Sequence, residues 1–331
     1  PYVESMYGTF DITNTSDLCC YWFALTAQQL RANPTLRFGL LATQGIGSRE
    51  NRQVIERLSN AGYLFDAWAD REWVLNGAAV RVSMICGTGR TDATEEAAFL
   101  NGVQVGRISP SLTGGVDLGT AQRLGQNRDL CWMGVTKGGS FDVDADIEGR
   151  PLSTQTAQGQ SPFNVVRPWW NGLDITRRPR SMWLIDFGED RPMAEAAAYD
   201  AAFGRVEALV KPERADNRRP SYRDRWWIHA EPRGGLREDL EQLGRYIATP
   251  RVTKHRLFKI IDGATIPDCQ VFAFVRSDDY FFGVLHSSVH ELWALRQGTQ
   301  LEDRPRYTPT TCFETFPLPW PPGHEDTGSP A

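Results

Sequence analysis

Four arginines, Arg218, Arg219, Arg223 and Arg225, are interleaved with Tyr222, Trp226 and Trp227 in one short segment. Guanidinium groups bind phosphate oxygens and guanine edges, and a neighbouring aromatic ring can stack on an exposed base or wedge beside it. A solvated helix whose tryptophans belong to a core has the same composition, so both readings stay open. A second group has the same character: Arg167, Arg177, Arg178 and Arg180 surround Trp169-Trp170-Asn171-Gly172, where Asn171 and Gly172 are expected to shape a turn. A third, Arg251, Lys254 and Arg256 with His255, follows the strand-like start at Tyr246; it reads either as a phosphate-contacting loop or as a charged edge strand. Lys137 beside Gly138-Gly139 is a weaker candidate, since glycine permits close backbone approach to a polyanion.

The net charge of −5 argues against a polyanion-binding role until it is resolved along the chain. Between Arg205 and Lys259, fourteen basic residues face eight acidic ones, a window of +6 that leaves −11 for the rest. Such asymmetry lets one face meet phosphates while the remainder keeps the protein in solution.

Two other clusters suggest metals and do not hold up as such. His286, His290 and Glu291 lack the His-Glu-x-x-His arrangement and a third ligand, so packing histidines are expected and no metal. Asp142, Asp144, Asp146 and Glu148 alternate with Val143, Ala145 and Ile147; Ile147 stands where a calcium loop requires glycine, so a half-exposed strand is expected.

The elements that must carry these groups read as α/β. Asp17 to about Leu30 has helical spacing of Leu18, Tyr21, Trp22 and Leu25, with Ser16 or Asp17 as cap. Phe38 to Thr43 is a continuous apolar run, as for a strand buried on both faces. Ser48 is placed to cap a helix burying Val54, Ile55 and Leu58, which Gly62 stops. Tyr63–Trp68 and Ala78–Ile85 are strands joined by a loop too short for a parallel crossover, so the second runs antiparallel. Ala98 to Val105 carries the Asn-Gly hairpin signal, and Ser109 to Gly115 marks a boundary. Beyond it, Met182–Phe187 and Gln270–Val275 are strands, Pro192 opens a helix over Met193–Val210, and Asp278–Leu295 is a helix offering Phe281, Phe282, Leu285, Val289 and Leu292 for burial. After Arg304 prolines dominate and the chain is expected to wrap a surface.

A parallel sheet finishing in an antiparallel strand resembles the end of a class I S-adenosylmethionine-dependent methyltransferase, a Rossmann-like fold. The wording of the sequence is similar to gamma-class adenine-N6 DNA methyltransferases, and most of all to fused type II restriction-modification enzymes. Asp17-Leu18-Cys19-Cys20-Tyr21-Trp22-Phe23, Gly39–Thr43, Phe65–Trp68 and Asn76–Ser83 carry the first part of that likeness. Val166–Ile175, Tyr246–Arg251, Phe281–Ser287 and Cys312–Pro319 carry the rest, in the family's order. The family's glycine-rich cofactor turn and Asn-Pro-Pro-aromatic motif are absent; Asn33-Pro34-Thr35 lacks the second proline, and Pro321-Pro322 lies in the tail.

The resemblance implies residues 1–110 as the C-terminal part of a methyltransferase catalytic domain and 111–276 as an α+β target recognition domain. Residues 277–322 would be a C-terminal helix and proline-rich wrap, and 323–331 a disordered tail. It implies double-stranded DNA as partner and S-adenosylmethionine as cofactor of the complete enzyme. Catalytic residues are expected upstream of Pro1, in a missing N-terminal part of the same protein, so the chain alone should be inactive. Asp17 and Leu18 match the segment lining the cofactor's adenine, and Trp73 lies near the family's second base-stacking aromatic, although it could equally plug the sheet edge. The implied activity is site-specific adenine methylation in a restriction-modification or phage-defence system; the alternative is a non-catalytic DNA-binding specificity module.

No apolar run reaches the roughly 18 residues of a membrane span. The six cysteines form no Cys-x-x-Cys pair, which fits reduced thiols in a cytoplasm.

Overall fold

The periodicities of the first hundred residues resolve into a five-stranded sheet with two helices on one face. The computed structural model describes residues 12, 16–47, 51–75, 78–89, 97–113, 121–144, 159–301 and 304–324. They divide into two units, Pro1–Ala121 and Gln122–Ala331.

The first unit contains α1 (Cys19–Ala32), β1 (Arg37–Thr43), α2 (Arg52–Asn60), β2 (Leu64–Leu75), β3 (Ala78–Thr88), β4 (Ala98–Leu100) and β5 (Val103–Val105), in the sheet order β1-β3-β2-β4-β5. The third strand is antiparallel to both neighbours, as its short connection requires, so β1 and β2 run parallel with β3 between them. Gly62, at φ 73°, ends α2: its own N–H bonds the Ser59 carbonyl and that of Tyr63 bonds the Leu58 carbonyl, the left-handed stop expected of glycine. Asn101 and Gly102 both have positive φ, 55° and 79°, and close the β4–β5 hairpin.

Two expectations fail here. The first strand is not buried on both faces: Phe38, Leu40 and Ala42 face the helices while Leu41 is 47% exposed, because both described helices cover the same side of the sheet. In α1 the buried residues are Cys20, Phe23, Ala24, Ala27 and Leu30, and Leu18 and Trp22 are exposed. The helix has Leu18 at its N-cap without a side-chain bond, since the Asp17 carboxylate instead accepts from Asn51 Nδ2 at 2.9 Å. The Ser48 cap lies outside the described residues.

The second unit runs β6 (Cys131–Met133), β7 (Asp142–Asp144), β8 (Val166–Trp170), α3 (Gly172–Thr176), β9 (Met182–Ile185), α4 (Met193–Ala197), α5 (Asp200–Arg214), α6 (Pro220–Asp224), α7 (Gly234–Glu241), β10 (Arg245–Pro250), β11 (Lys259–Asp262), β12 (Ile266–Pro267), β13 (Val271–Phe274), α8 (Asp279–His286) and α9 (Ser288–Gln297). Two four-stranded sheets result, β12-β8-β9-β7 and β11-β10-β13-β6. The β10 sheet is buried on both sides. Ile247, Phe272 and Phe274 pack against α8, α9 and Phe313; Tyr246, Ala248 and Ala273 pack against α3 and α7. The segment after Arg304 belongs to this core, with Tyr307, Cys312 and Phe313 buried and Asn127 Nδ2 donating to the carbonyls of Phe313 and Phe316.

Both long helices expected here are broken. The Met193–Val210 stretch is two helices, interrupted at Ala198–Tyr199, and the second continues to Arg214 through Pro212. The Asp278–Leu295 stretch starts as expected, Asp278 accepting from Phe281 N–H at 2.7 Å, but Ser287 in an extended conformation ends α8 and caps α9 through His290 N–H. The interruption rotates the face, so Val289 and Leu292 are exposed. Likewise β10 is an internal strand between β11 and β13, not a charged edge strand. In the acidic alternation Asp142 and Asp144 are half-buried around buried Val143 in β7; Asp146 and Glu148 lie outside the described residues.

Candidate nucleic-acid interface

An arginine whose N–H donors are already bound to backbone carbonyls is a structural cross-link, whereas an exposed one without side-chain partners is free to meet phosphate. This criterion divides the basic residues sharply. Arg256 is half-buried, donates to Thr249 Oγ1 at 3.0 Å and to the Pro250 and Pro305 carbonyls, and lies over the Tyr307 ring; burial lowers its pKa. It ties the 250–256 loop to the C-terminal segment and is not exposed for DNA. Arg180 grips Asp174 in a two-point pair at 2.8 and 3.0 Å. Burial opposes ionisation of Asp174, yet Arg180 and two backbone N–H groups hold its pKa below the ordinary carboxylate value. The same carboxylate closes a capping box with Asn171, which accepts from Leu173 N–H at 2.8 Å, so the turn-shaping role of Asn171 and Gly172 is as expected.

Lys137 is similarly engaged, 2.6 Å from Asp142 and 4.1 Å above the Trp169 ring, whose other cationic neighbour is Arg180. Arg167 is half-buried beside buried Tyr246 and borders a small cavity with Arg237 and Glu241. Arg251 rests against Met133 Sδ at 3.9 Å.

In the 218–227 segment the aromatic stacking idea fails. Trp226 is buried in the core with Phe203, and Trp227 packs edge-on against it while donating Nε1–H to the Arg191 carbonyl at 2.9 Å. The Tyr222 ring has the guanidinium groups of Arg214 and Arg219 over it, at 5.8 and 5.3 Å from its centroid. Arg225 bonds the Glu189 carbonyl and Asp190, and Arg223 pairs with Asp224 at 3.0 Å. Arg214, which the sequence did not single out, is buried and donates to the carbonyls of Lys137, Gly138 and Ile228 at 2.6, 3.0 and 2.7 Å.

What remains is a short set. Arg177, Arg178, Arg218 and Lys254 are exposed, and none of their side chains makes a hydrogen bond, ion pair or ring contact with a described residue. Three of these belong to adjoining loops. A Cβ on Gly172 would lie 3.4 Å from the Pro250 side chain and 3.7 Å from the Gln270 carbonyl, to which Arg251 N–H donates at 2.7 Å. The turn carrying Arg177 and Arg178 and the loop carrying Lys254 therefore start from neighbouring positions. Arg128 was missed; it too is exposed and without such a partner, but it stands apart from any aromatic run and gave no compositional signal.

In the first unit, Trp73 is 41% exposed in the stretch of β2 and β3 that extends past β1, paired across from Val80. It is not a core residue. Leu18 is exposed at the start of α1, and Asp17 is held by Asn51, whose Oδ1 accepts the Asp17 N–H at 2.9 Å. Asn51 is the partner that sequence reading missed. The histidine cluster is structural: His286 Nε2 meets the Phe258 backbone at 2.8 and 3.0 Å, and buried His290 bonds the Leu285 carbonyl and Tyr307 hydroxyl. A cavity of about 260 Å³ lined by Ser59, Asn60, Leu64 and Arg107 contains none of the predicted site residues.

Residues 241–320 match the target recognition domain of MmeI. The whole chain is similar in fold to the type IIL restriction-modification enzyme MmeI, solved in complex with DNA, with a TM-score of 0.72 and 17% identity over 96% of this chain. It spans 44% of that enzyme's length. No curated protein sequence matches it. The matched domain contains β10, β13 and the loop bearing Lys254, and begins after Arg177, Arg178 and Arg218 in the sequence. No described helix is long and apolar enough to cross a membrane.

Proposed function

We propose that this chain is the DNA-recognition end of an MmeI-like restriction-modification enzyme, joined to the last strands of its adenine-N6 methyltransferase sheet. The observation that carries the reading is the pairing of a recognition-domain match over 241–320 with a first unit in which an antiparallel strand lies between two parallel ones. That strand order is the one the class I methyltransferase resemblance calls for. Among the described residues β1 pairs with β3 alone, and this edge position together with the exposed Leu41 supports completion of the sheet by upstream polypeptide, which would supply the Asn-Pro-Pro-aromatic motif.

Residues of this chain then take three roles. Arg177, Arg178, Lys254 and Arg218 contact phosphates, which positions a duplex without reading it. Adenine N6 must leave the base stack to meet the methyl donor, and Trp73 is available to stack the extruded base. Asp17, fixed by Asn51, and exposed Leu18 form one wall for the adenine of S-adenosylmethionine, the cofactor that would supply the methyl group. A cytoplasmic location follows from the same reading.

The test is binding and transfer measured together. The isolated chain should bind duplex DNA in a salt-dependent way and give no incorporation of tritiated methyl groups, whereas the chain joined to its upstream polypeptide should methylate adenine. Clear transfer by the isolated chain, or none by the joined protein, defeats the proposal. DNA binding with no transfer in any form would favour a specificity module.

A further inference from the structure

The irregularity in β2 determines which face of the sheet carries Trp73. The register runs Ala67↔Ile85 and Trp68↔Met84, then resumes at Arg71↔Val82 and Trp73↔Val80, so Ala69 and Asp70 together stand opposite Ser83. Side chains alternate along a strand, so an uninterrupted strand with Trp68 on the outer face would turn Trp73 toward the helix-covered side. One extra residue reverses that parity. Trp68, Arg71 and Trp73 consequently share the outer face, with Arg71 lying over the Trp68 ring at 4.8 Å.

A bulge leaves backbone groups without ladder partners, and here side chains from other segments take them. Asn101 Oδ1 accepts the Ala69 N–H at 2.9 Å, and Ser83 Oγ, fully buried, accepts that of Asp70 at 3.3 Å. Arg81 donates to the Asp70 carbonyl at 2.8 Å and pairs with its carboxylate at 2.5 Å. Asp70 has φ 53°, a left-handed conformation that a non-glycine residue holds only when its surroundings enforce it.

We propose that this three-sided lock is a positioning device for a nucleobase-stacking site, with Asn101, Ser83 and Arg81 as positioning residues that hold Trp73 on the outer face. The inference rests on the stacking role given to Trp73 above. It adds the reason why an aromatic on a strand bordering a closed core is turned outward, and it assigns function to Asn101, which lies in a different hairpin.

The two parts separate in one experiment on the full 331-residue chain labelled with 5-fluorotryptophan, whose eleven tryptophans each contribute a ¹⁹F resonance. Trp73→Phe identifies the signal. Asn101→Gly keeps the left-handed turn but removes the acceptor, and Arg81→Met removes the clamp. Both should shift or broaden the Trp73 resonance while buried Trp169 and Trp226 stay in place. Oligo-deoxyadenylate should shift Trp73 in the parent chain, and the variants should need at least tenfold more of it. An unmoved Trp73 signal in both variants overturns the lock. A Trp73 signal that moves in the variants but ignores bound oligonucleotide in the parent overturns the stacking role and with it the functional assignment of the lock. If Asn101→Gly unfolds, all resonances collapse together and Arg81→Met alone decides.

Discussion

Replacing Arg177, Arg178 and Lys254 together by alanine should weaken DNA binding through counterion release and leave the fold intact. Each phosphate neutralised contributes about 0.9 to the slope of log K against log salt, so losing three contacts should flatten that slope by about 2.7. At 0.1 M salt, one decade below a 1 M reference, the loss is then roughly 500-fold, or about 3.7 kcal/mol. The cost in stability should be small, since all three side chains are exposed and bond no described residue, and such surface substitutions change stability by about 0.5 kcal/mol or less each. The assay is fluorescence anisotropy of a labelled duplex titrated at four or more potassium chloride concentrations, beside urea denaturation of the same proteins. Because phosphate contacts carry no sequence information, the loss should be the same for unrelated duplexes. An unchanged slope with unchanged affinity refutes the assignment, and so does a fall in affinity that merely tracks a fall in stability.

Arg256→Ala should do the reverse: it strips donors from the Pro250 and Pro305 carbonyls, at roughly 2–3 kcal/mol of stability, with little change in salt slope measured below the melting transition. Trp73→Ala should cost less than about 1 kcal/mol in denaturation, since its ring is 41% exposed, against roughly 3–5 for a core tryptophan; a loss of the larger size would return Trp73 to the core. Stability should also fall with acidification. Burial lowers the pKa of His229 and of His290 to about 4, so between the ordinary 6.5 and about 4 the unfolded chain takes up protons that the native state refuses. Between pH 7 and 5 each should contribute about 2 kcal/mol of lost stability, and a His229→Gln, His290→Gln variant should show a correspondingly shallower profile; an equal drop in that variant means other groups are responsible.

Local chemistry was enough to read the strands Tyr63–Trp68 and Ala78–Ile85, the antiparallel sense forced by their short connection, the Gly62 stop, the Asn101-Gly102 hairpin and the Asp278 cap. These depend on residues a few positions apart and on backbone conformations few residue types adopt. The resemblance carried the presence of a target recognition domain, which the match over 241–320 bears out. Composition also located the basic loops, but it could not say which cations in them were free. A guanidinium is free or spent according to carbonyls that folding brings to it from far along the chain: Arg214 reaches the Gly138 carbonyl 76 residues away and Arg256 the Pro305 carbonyl 49 away. Trp226 and Trp227 entered the core because Phe203 and Arg191 come back over them. Ser287 split one apolar helix into two, since an extended residue that caps the next turn removes the periodicity on which the single helix was read. The outward face of Trp73 was beyond sequence reading for the same reason, because one bulged residue inverts the parity of everything after it and only partners on other strands keep that residue in place.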